Sequence, residues 1–242
     1  MSRGRTLSIL LLCAAAGVLA TLVMLGNWQL HRLAWKTELI ETIGERAFGD
    51  PVPAPRGEFD PAAEAYRRVT IAGRFLHDRT RFVKALTELG AGYWVMTPLD
   101  DGARKVWVNR GFVPDDRRAG KDYERSDNRV DIVGLIRVTE PDGTLLQDND
   151  PGAGRWYSRD IAALSRETGV DAEPDWFIDA DSGSAETAPP WPRAGLTRLE
   201  FRNSHLGYAL TWYTMALALA VGIGYALYLE RRAGTGPDDR LT

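Results

Sequence analysis

Two long stretches of this 242-residue chain carry no charge, and they constrain its fold more than anything else in it. Residues 7–25 run for 19 positions, and residues 206–229 for 24, without Asp, Glu, Lys or Arg. As helices rising about 1.5 Å per residue, each can cross about 30 Å of hydrocarbon. The expected architecture is a membrane protein with two transmembrane helices flanking an outer domain. Residues 1–6 and 230–242 are then short tails, and residues 26–205 form one domain between the spans.

Composition sharpens this layout. The tails hold five basic and three acidic residues, while the segment between the spans holds 25 and 30. Basic tails beside a span stay in the cytoplasm, and long loops translocate largely regardless of charge. Both termini are expected to be cytoplasmic, with the large domain in the periplasm. The six residues ahead of the first span are read as holding no transit peptide. Arginine outnumbers lysine 26 to 4, which points to a GC-rich bacterial genome. The formal charge of −3 lacks the basic field that a nucleic-acid binder needs.

Cys13 is the only cysteine, so no intramolecular disulfide and no multi-cysteine metal site can form. Leu12 before it is unsuited to a lipidation signal. Ala14, Ala15 and Ala16 mimic a signal-peptide cleavage site. The apolar run nevertheless continues through Val18, Leu19, Leu22, Val23 and Leu25, which favours a retained anchor.

Gly26 is expected to end or kink the first span. Beyond it, Leu30, Leu33, Ile40 and Ile43 keep a helical period to about Phe48, with Trp28 and Trp35 at headgroup level. A proline-rich connector follows at 50–57. From Val69 the period changes to two, and strands are expected near 69–75, 81–85, 92–97, 105–109, 130–138 and 176–178. Asp100-Asp101-Gly102 reads as a hairpin turn. Residues 159–169 read as a short helix with Gly169 as its cap. Residues 115–128 and 180–196 read as loops, and 199–201 as a last short strand. The outer domain is thus expected to be mainly antiparallel β, of α+β type.

No Gly-rich phosphate loop, paired-His motif or serine elbow is present. No clustered acid–base set marks an enzyme. Asn109-Arg110-Gly111 reads as a strand end with a buried arginine and a turn glycine. Thirteen residues after Leu229 are read as too few for a sensor's output domain.

His205 is different, because it sits at the outer mouth of the second span. On a helix, Tyr208, Ala209, Trp212, Ala216, Leu219, Ala220 and Ile223 fall within about 60° of it. Two readings are open. A flat apolar ring system would fit a groove floored by alanines and flanked by aromatics, with the imidazole as an iron ligand. Alternatively another helix covers this face. Ala216, Ala220 and Gly224 form a small-residue stripe, and Ala16 and Ala20 offer one on the first span.

A set of short motifs adds a family resemblance. Gly26-Asn27-Trp28-Gln29 comes first, followed by Arg32, Trp35 and Lys36. Gly73-Arg74-Phe75, Thr97-Pro98-Leu99 and Val106-Trp107-Val108-Asn109-Arg110-Gly111-Phe112-Val113-Pro114 come next. The last runs from Asn203 through His205, Tyr208 and Thr211 to Trp212. In this order they resemble the Surfeit locus proteins, assembly factors for cytochrome c oxidase. Phe112 stands where that family usually has tryptophan.

The resemblance implies a non-enzymatic chaperone of respiratory chain biogenesis. It would bind haem a transiently and aid its insertion into subunit I of an aa3-type oxidase. It implies His205 as the axial ligand of the haem iron. Tyr208 and Trp212 would flank the ring, and Arg202, nearly a turn earlier, would pair with a propionate. His31 lies at matching depth on the first span and is a candidate second ligand, although it is outside the family motif. The expected partners are subunit I, haem a synthase and the lipid bilayer, without nucleic acid. The alternative is a membrane-anchored periplasmic scaffold for oxidase assembly with no haem of its own.

Overall fold

A computed structural model describes residues 3–118, 128–141, 143–144, 147–182, 191–197 and 203–233, with helix side chains from Ser8 and to Arg232. The chain divides into two units. One comprises Met1–Glu41 with Glu200–Thr242, and the other Thr42–Leu199.

The first unit is a pair of helices. Helix α1 runs from Arg3 to Phe48, so its outer part belongs to the second unit. Helix α4 runs from His205 to Ala233. Both contain stretches long and apolar enough to cross a membrane. Helix α1 does not end at Gly26, as one sequence reading had it. A Cβ at Gly26 would come within 2.6 Å of the Tyr213 ring, so the glycine serves close approach of α4. Trp28 and Trp35 stand exposed, with the Arg32 guanidinium 4.4 Å above the Trp35 ring.

The shielded residues of this pair recur every three or four positions, as a helix seam requires. On α1 they are Leu19, Leu22, Gly26, Gln29 and Leu33. On α4 they are His205, Ala209, Trp212, Tyr213, Ala216, Leu219 and Ile223. Of the small residues expected at the contact only Ala216 is buried, whereas Ala16, Ala20, Ala220 and Gly224 are exposed. The Gly26–Tyr213 approach and a polar pair at Gln29 set the helix rotation and turn those stripes outward.

The second unit is built on a seven-stranded sheet. Its strands are β1 (Val52–Pro53), β2 (Arg68–Phe75), β3 (Arg81–Thr87), β4 (Gly90–Asp100), β5 (Lys105–Pro114), β6 (Val130–Val138) and β7 (Trp176–Ala180). A one-turn helix α2 (Pro61–Glu64) precedes β2, and α3 (Ile161–Thr168) precedes β7. Six of the seven expected strands and the expected helix are present. Asp160 caps α3 by accepting from Ala163 N at 2.9 Å, and Gly169 closes it at φ +67°. Asp115–Arg117 forms a short 3-10 turn. Most of the expected loops at 115–128 and 180–196, and the expected strand at 199–201, lie outside the described residues.

The sheet is mainly antiparallel, as expected, but it is mixed, with two short parallel pairings. Strand β7 lies between β6 and β5, antiparallel to the first and parallel to the second, and β1 is parallel to β2. The parallel neighbours β5 and β7 are joined through residues 115–175, which carry β6 and α3 and give the chain the reach that a parallel pairing needs. Strand β2 also pairs with β4 at Arg74↔Asp100 and Phe75↔Leu99. That contact closes β2, β6, β7, β5 and β4 into a ring.

Period-two alternation then sorts the apolar residues into two cores. Val69, Ile71, Leu99, Val106, Val108 and Ile178 belong to one cluster. Their sequence neighbours Trp107 and Phe177 belong to the other, with Met96, Trp156, Ile161 and Leu164 under α3.

Candidate functional site

The first turn of α4 carries His205, whose Nδ1 donates to Gln29 Oε1 at 2.7 Å. Gln29 is 8% exposed, so its amide has few competitors for that bond. The carbonyl oxygen is an acceptor only, which assigns a ring proton to Nδ1, and Nε2 has no partner among the described residues. Two further polar rungs tie the helices. Tyr213 Oη donates to Asn27 Oδ1 at 2.6 Å, and Asn203 Nδ2 donates to Thr37 Oγ1 at 3.4 Å. Asn203 Oδ1 is buried with no partner among the described residues.

The residues expected around His205 separate into three groups. Trp212 is half-buried within about 20° of His205, two turns further into the helix. Tyr208 is exposed on the outer side of α4. Ala209 and Ala216, the expected floor of a groove, are only 1% and 5% exposed because the partner helix lies on them. Arg202 lies outside the described residues. His31 donates from Nδ1 to the Asn27 carbonyl at 2.9 Å and is exposed. It follows Gln29 by two residues, about 200° around α1. His31 and His205 therefore do not converge, and a ligand pair of the two is not formed.

This donor set fits an iron-centred ring. A histidine that ligates a metal through one nitrogen commonly donates the other N–H to an oxygen that fixes its tautomer, and Gln29 supplies that oxygen. The unused Nε2 and the exposed aromatic Tyr208 leave one side of α4 available, even though the alanine side is filled.

The second unit holds a buried polar centre that the sequence reading missed. Asp179, 4% exposed on β7, accepts from Asn109 Nδ2 at 2.8 Å, Arg137 Nη1 at 3.0 Å and Thr197 Oγ1 at 3.0 Å. Arg159 Nη1 reaches both of its oxygens, at 3.3 and 3.4 Å, while the same guanidinium forks onto Glu140. Burial pushes Arg159 towards its neutral form, but the charge of Asp179 and the bond to Glu140 outweigh it and hold the group above its ordinary pKa. Every lone pair of Asp179 is engaged, so the centre binds strands together and offers no open position.

Asn109-Arg110-Gly111 belongs to the same region and corrects an expectation. The motif is a mid-strand bulge, not a strand end, and Asn109 is buried in place of Arg110. Asn109 Oδ1 accepts from Gly111 N at 3.1 Å. Gly111 has φ +126°, and a Cβ there would come 2.4 Å from the Arg193 carbonyl, so no larger residue fits. Arg110 stays half-exposed, 4.9 Å over the Phe75 ring.

The sequence matches the SURF1 family over residues 16–217, a span that takes in Gln29, the Asn109 bulge and the His205 turn. The chain belongs to the SURF1 family. Surfeit locus protein 1 of Rattus norvegicus is 33% identical over 234 residues, covering 89% of this chain and 74% of the relative. The Homo sapiens protein of that name is 33% identical over 214 residues, covering 80% and 70%. A SURF1-like protein of Monosiga brevicollis is 33% identical over 230 residues, covering 87% and 84%.

Gln29 of this SURF1 family member entered the sequence analysis only as a motif residue, and its pairing with His205 was missed despite a visible signal. Gln29 occupies the buried stripe of α1, in step with Leu22, Gly26 and Leu33. A polar side chain in register with an apolar stripe has to find a partner on the facing element. Arg137, Arg159 and Asp179 gave no comparable signal, since they lie far apart in the chain.

Proposed function

We propose that this protein is a non-enzymatic assembly factor for an aa3-type cytochrome c oxidase, holding haem a transiently through His205 and passing it to subunit I. In this reading both apolar helices span the bacterial inner membrane. The short basic tails are cytoplasmic and the β unit is periplasmic. Haem a synthase is the expected donor of the cargo. Family membership and the ordered motifs of the resemblance support the assembly role.

The observation that carries the haem assignment is the state of His205: Nδ1 is engaged by Gln29, and Nε2 has no partner among the described residues. A bound haem would be held through its iron by the imidazole nitrogen of His205. The chain's residues do the rest. His205 would supply Nε2, Trp212 and Tyr208 the aromatic flanks, and Arg202 a partner for a propionate. A single ligand suits a carrier that must release its cargo, and the separation of His31 from His205 agrees with that.

One observation favours the alternative of a scaffold without haem: the alanine face below His205 is filled by α1. The two readings separate on haem content. The full-length protein, purified from cells that make haem a, is compared with His205→Ala and His31→Ala at matched expression. His205→Ala should lose most of its haem and its Soret band without loss of protein level, and His31→Ala should keep both. Full haem in His205→Ala would leave the scaffold.

A further inference from the structure

We propose that Gln29 is a positioning residue for His205: its buried amide oxygen selects the Nδ1–H tautomer, fixes the ring and so presents Nε2 to the haem iron. The proposal rests on the reading of His205 as the haem ligand. Three observations point to Gln29 in particular. It is the only polar side chain among the buried residues of the described helix pair. Its oxygen lies 2.7 Å from His205 Nδ1 across 176 residues of sequence, so the contact is made by helix docking and not by local geometry. The histidine that lacks such a partner, His31, bonds its own helix backbone and is exposed.

The chemistry follows from the hydrogen bond. Free imidazole exchanges its proton between nitrogens and rotates about its side-chain bonds. An acceptor held on the facing helix removes both freedoms, because only one ring orientation places N–H on the amide oxygen. Donation of that N–H also raises electron density at Nε2, which strengthens it as a ligand. Gln29 is neutral, so the strengthening stays moderate, which suits a site that must hand its cargo on. A carboxylate at the same position would bind the N–H more strongly and hold ferric iron harder.

The test uses the full-length protein in detergent, with haem a as the probe, and the variants Gln29→Leu and Gln29→Glu. Leucine fills the buried seat without an acceptor, and glutamate keeps the acceptor with more charge. In the haem-free protein, imidazole nitrogen NMR should show His205 as the Nδ1–H tautomer in the wild type and not in Gln29→Leu. The His205 signals are identified by their loss in His205→Ala. With haem a bound, Gln29→Leu should release it 10- to 100-fold faster, the range typical of a lost outer-shell partner. Gln29→Glu should release it no faster than the wild type and lower the iron midpoint potential.

An unchanged tautomer or an unchanged release rate in Gln29→Leu, where His205→Ala has lost its haem, overturns the positioning role alone. Full haem retention by His205→Ala overturns the ligand reading beneath it. Failure of both Gln29 variants to accumulate in membranes would show that the residue serves packing, and would also overturn the proposal.

Discussion

In the helix pair, the described contacts Gln29–His205 and Asn27–Tyr213 are single hydrogen bonds that join side chains one to one. In the β unit they are charged and meet as a cluster, with Asp179 engaged by Asn109, Arg137, Arg159 and Thr197. The difference separates a site from a strut. A carboxylate whose lone pairs are all taken cannot accept a ligand without first losing a partner. An imidazole with one nitrogen held, and no partner for the other among the described residues, is not blocked in that way. The same contrast agrees with the membrane-spanning reading proposed for the helix pair. Hydrocarbon tolerates neutral polar pairs between helices, whereas a β unit in water can bury ions if each is fully paired.

The comparison breaks most visibly at Asp179. Asp179→Ala leaves Arg137 and Arg159 with Glu140 alone, and removal of one member of a buried ion cluster costs about 3–5 kcal/mol. Denaturant unfolding of the full chain, followed by tryptophan fluorescence, should show that loss in the β unit. Haem retained per folded molecule should stay unchanged. A loss of haem matching the loss of stability would place the two units in one functional centre and undo the contrast.

Asp101 offers a smaller, pH-dependent version. Its carboxylate in the β4–β5 hairpin accepts from Ala103 N at 2.8 Å and Arg104 N at 2.9 Å. Burial pushes it up, but those two N–H groups and the charges of Arg104 and Arg56 more than offset the burial and hold it below the ordinary carboxylate value. A depressed folded-state pKa means stability that is complete above the unfolded value, about 4, and lost as pH falls through the lower folded value. The wild type should therefore lose stability in that acid window. Asp101→Asn should be less stable at neutral pH and converge with the wild type at low pH. Parallel curves at all pH values would contradict the assignment.

The smallest effect is expected in the helix pair. Tyr213→Phe removes one neutral rung, and such interhelical bonds average about 0.6 kcal/mol. Reversible unfolding in detergent micelles should register a shift of that order, with the Gln29–His205 pair and the haem unaffected. A shift as large as that of Asp179→Ala would show that the helix pair depends on its polar rungs as the β unit depends on its ions.

Much of this was legible in the residues themselves. The uncharged runs marked both long helices, period-two alternation marked β2, and six of the seven strands were expected at their places. Asp100-Asp101-Gly102 marked the β4–β5 turn, and Gly169 the end of α3. These features are local: each depends on side chains a few positions apart and on whether one face of an element is apolar. His205 stood out for the same reason, as a histidine at the end of an apolar run. The small-residue stripes misled because several rotations of two apolar helices look equally good until a specific contact chooses one. Asn109-Arg110-Gly111 misled because a bulge in mid-strand and a strand end demand the same glycine.

By itself, then, the sequence determined which segments are apolar helices, which form strands, where turns fall, and that one histidine sits at the start of an apolar run. Burial and turn chemistry act over a few residues, so they are written in order along the chain. Only the tertiary structure decided that β2 meets β4 to close the ring, and that β7 enters between β6 and β5. It alone joined Asn109 to Asp179 across 70 residues and Gln29 to His205 across 176. Such pairs depend on how finished elements dock. Docking is settled by the packing of whole faces, where a shift of one residue or a small rotation exchanges every partner.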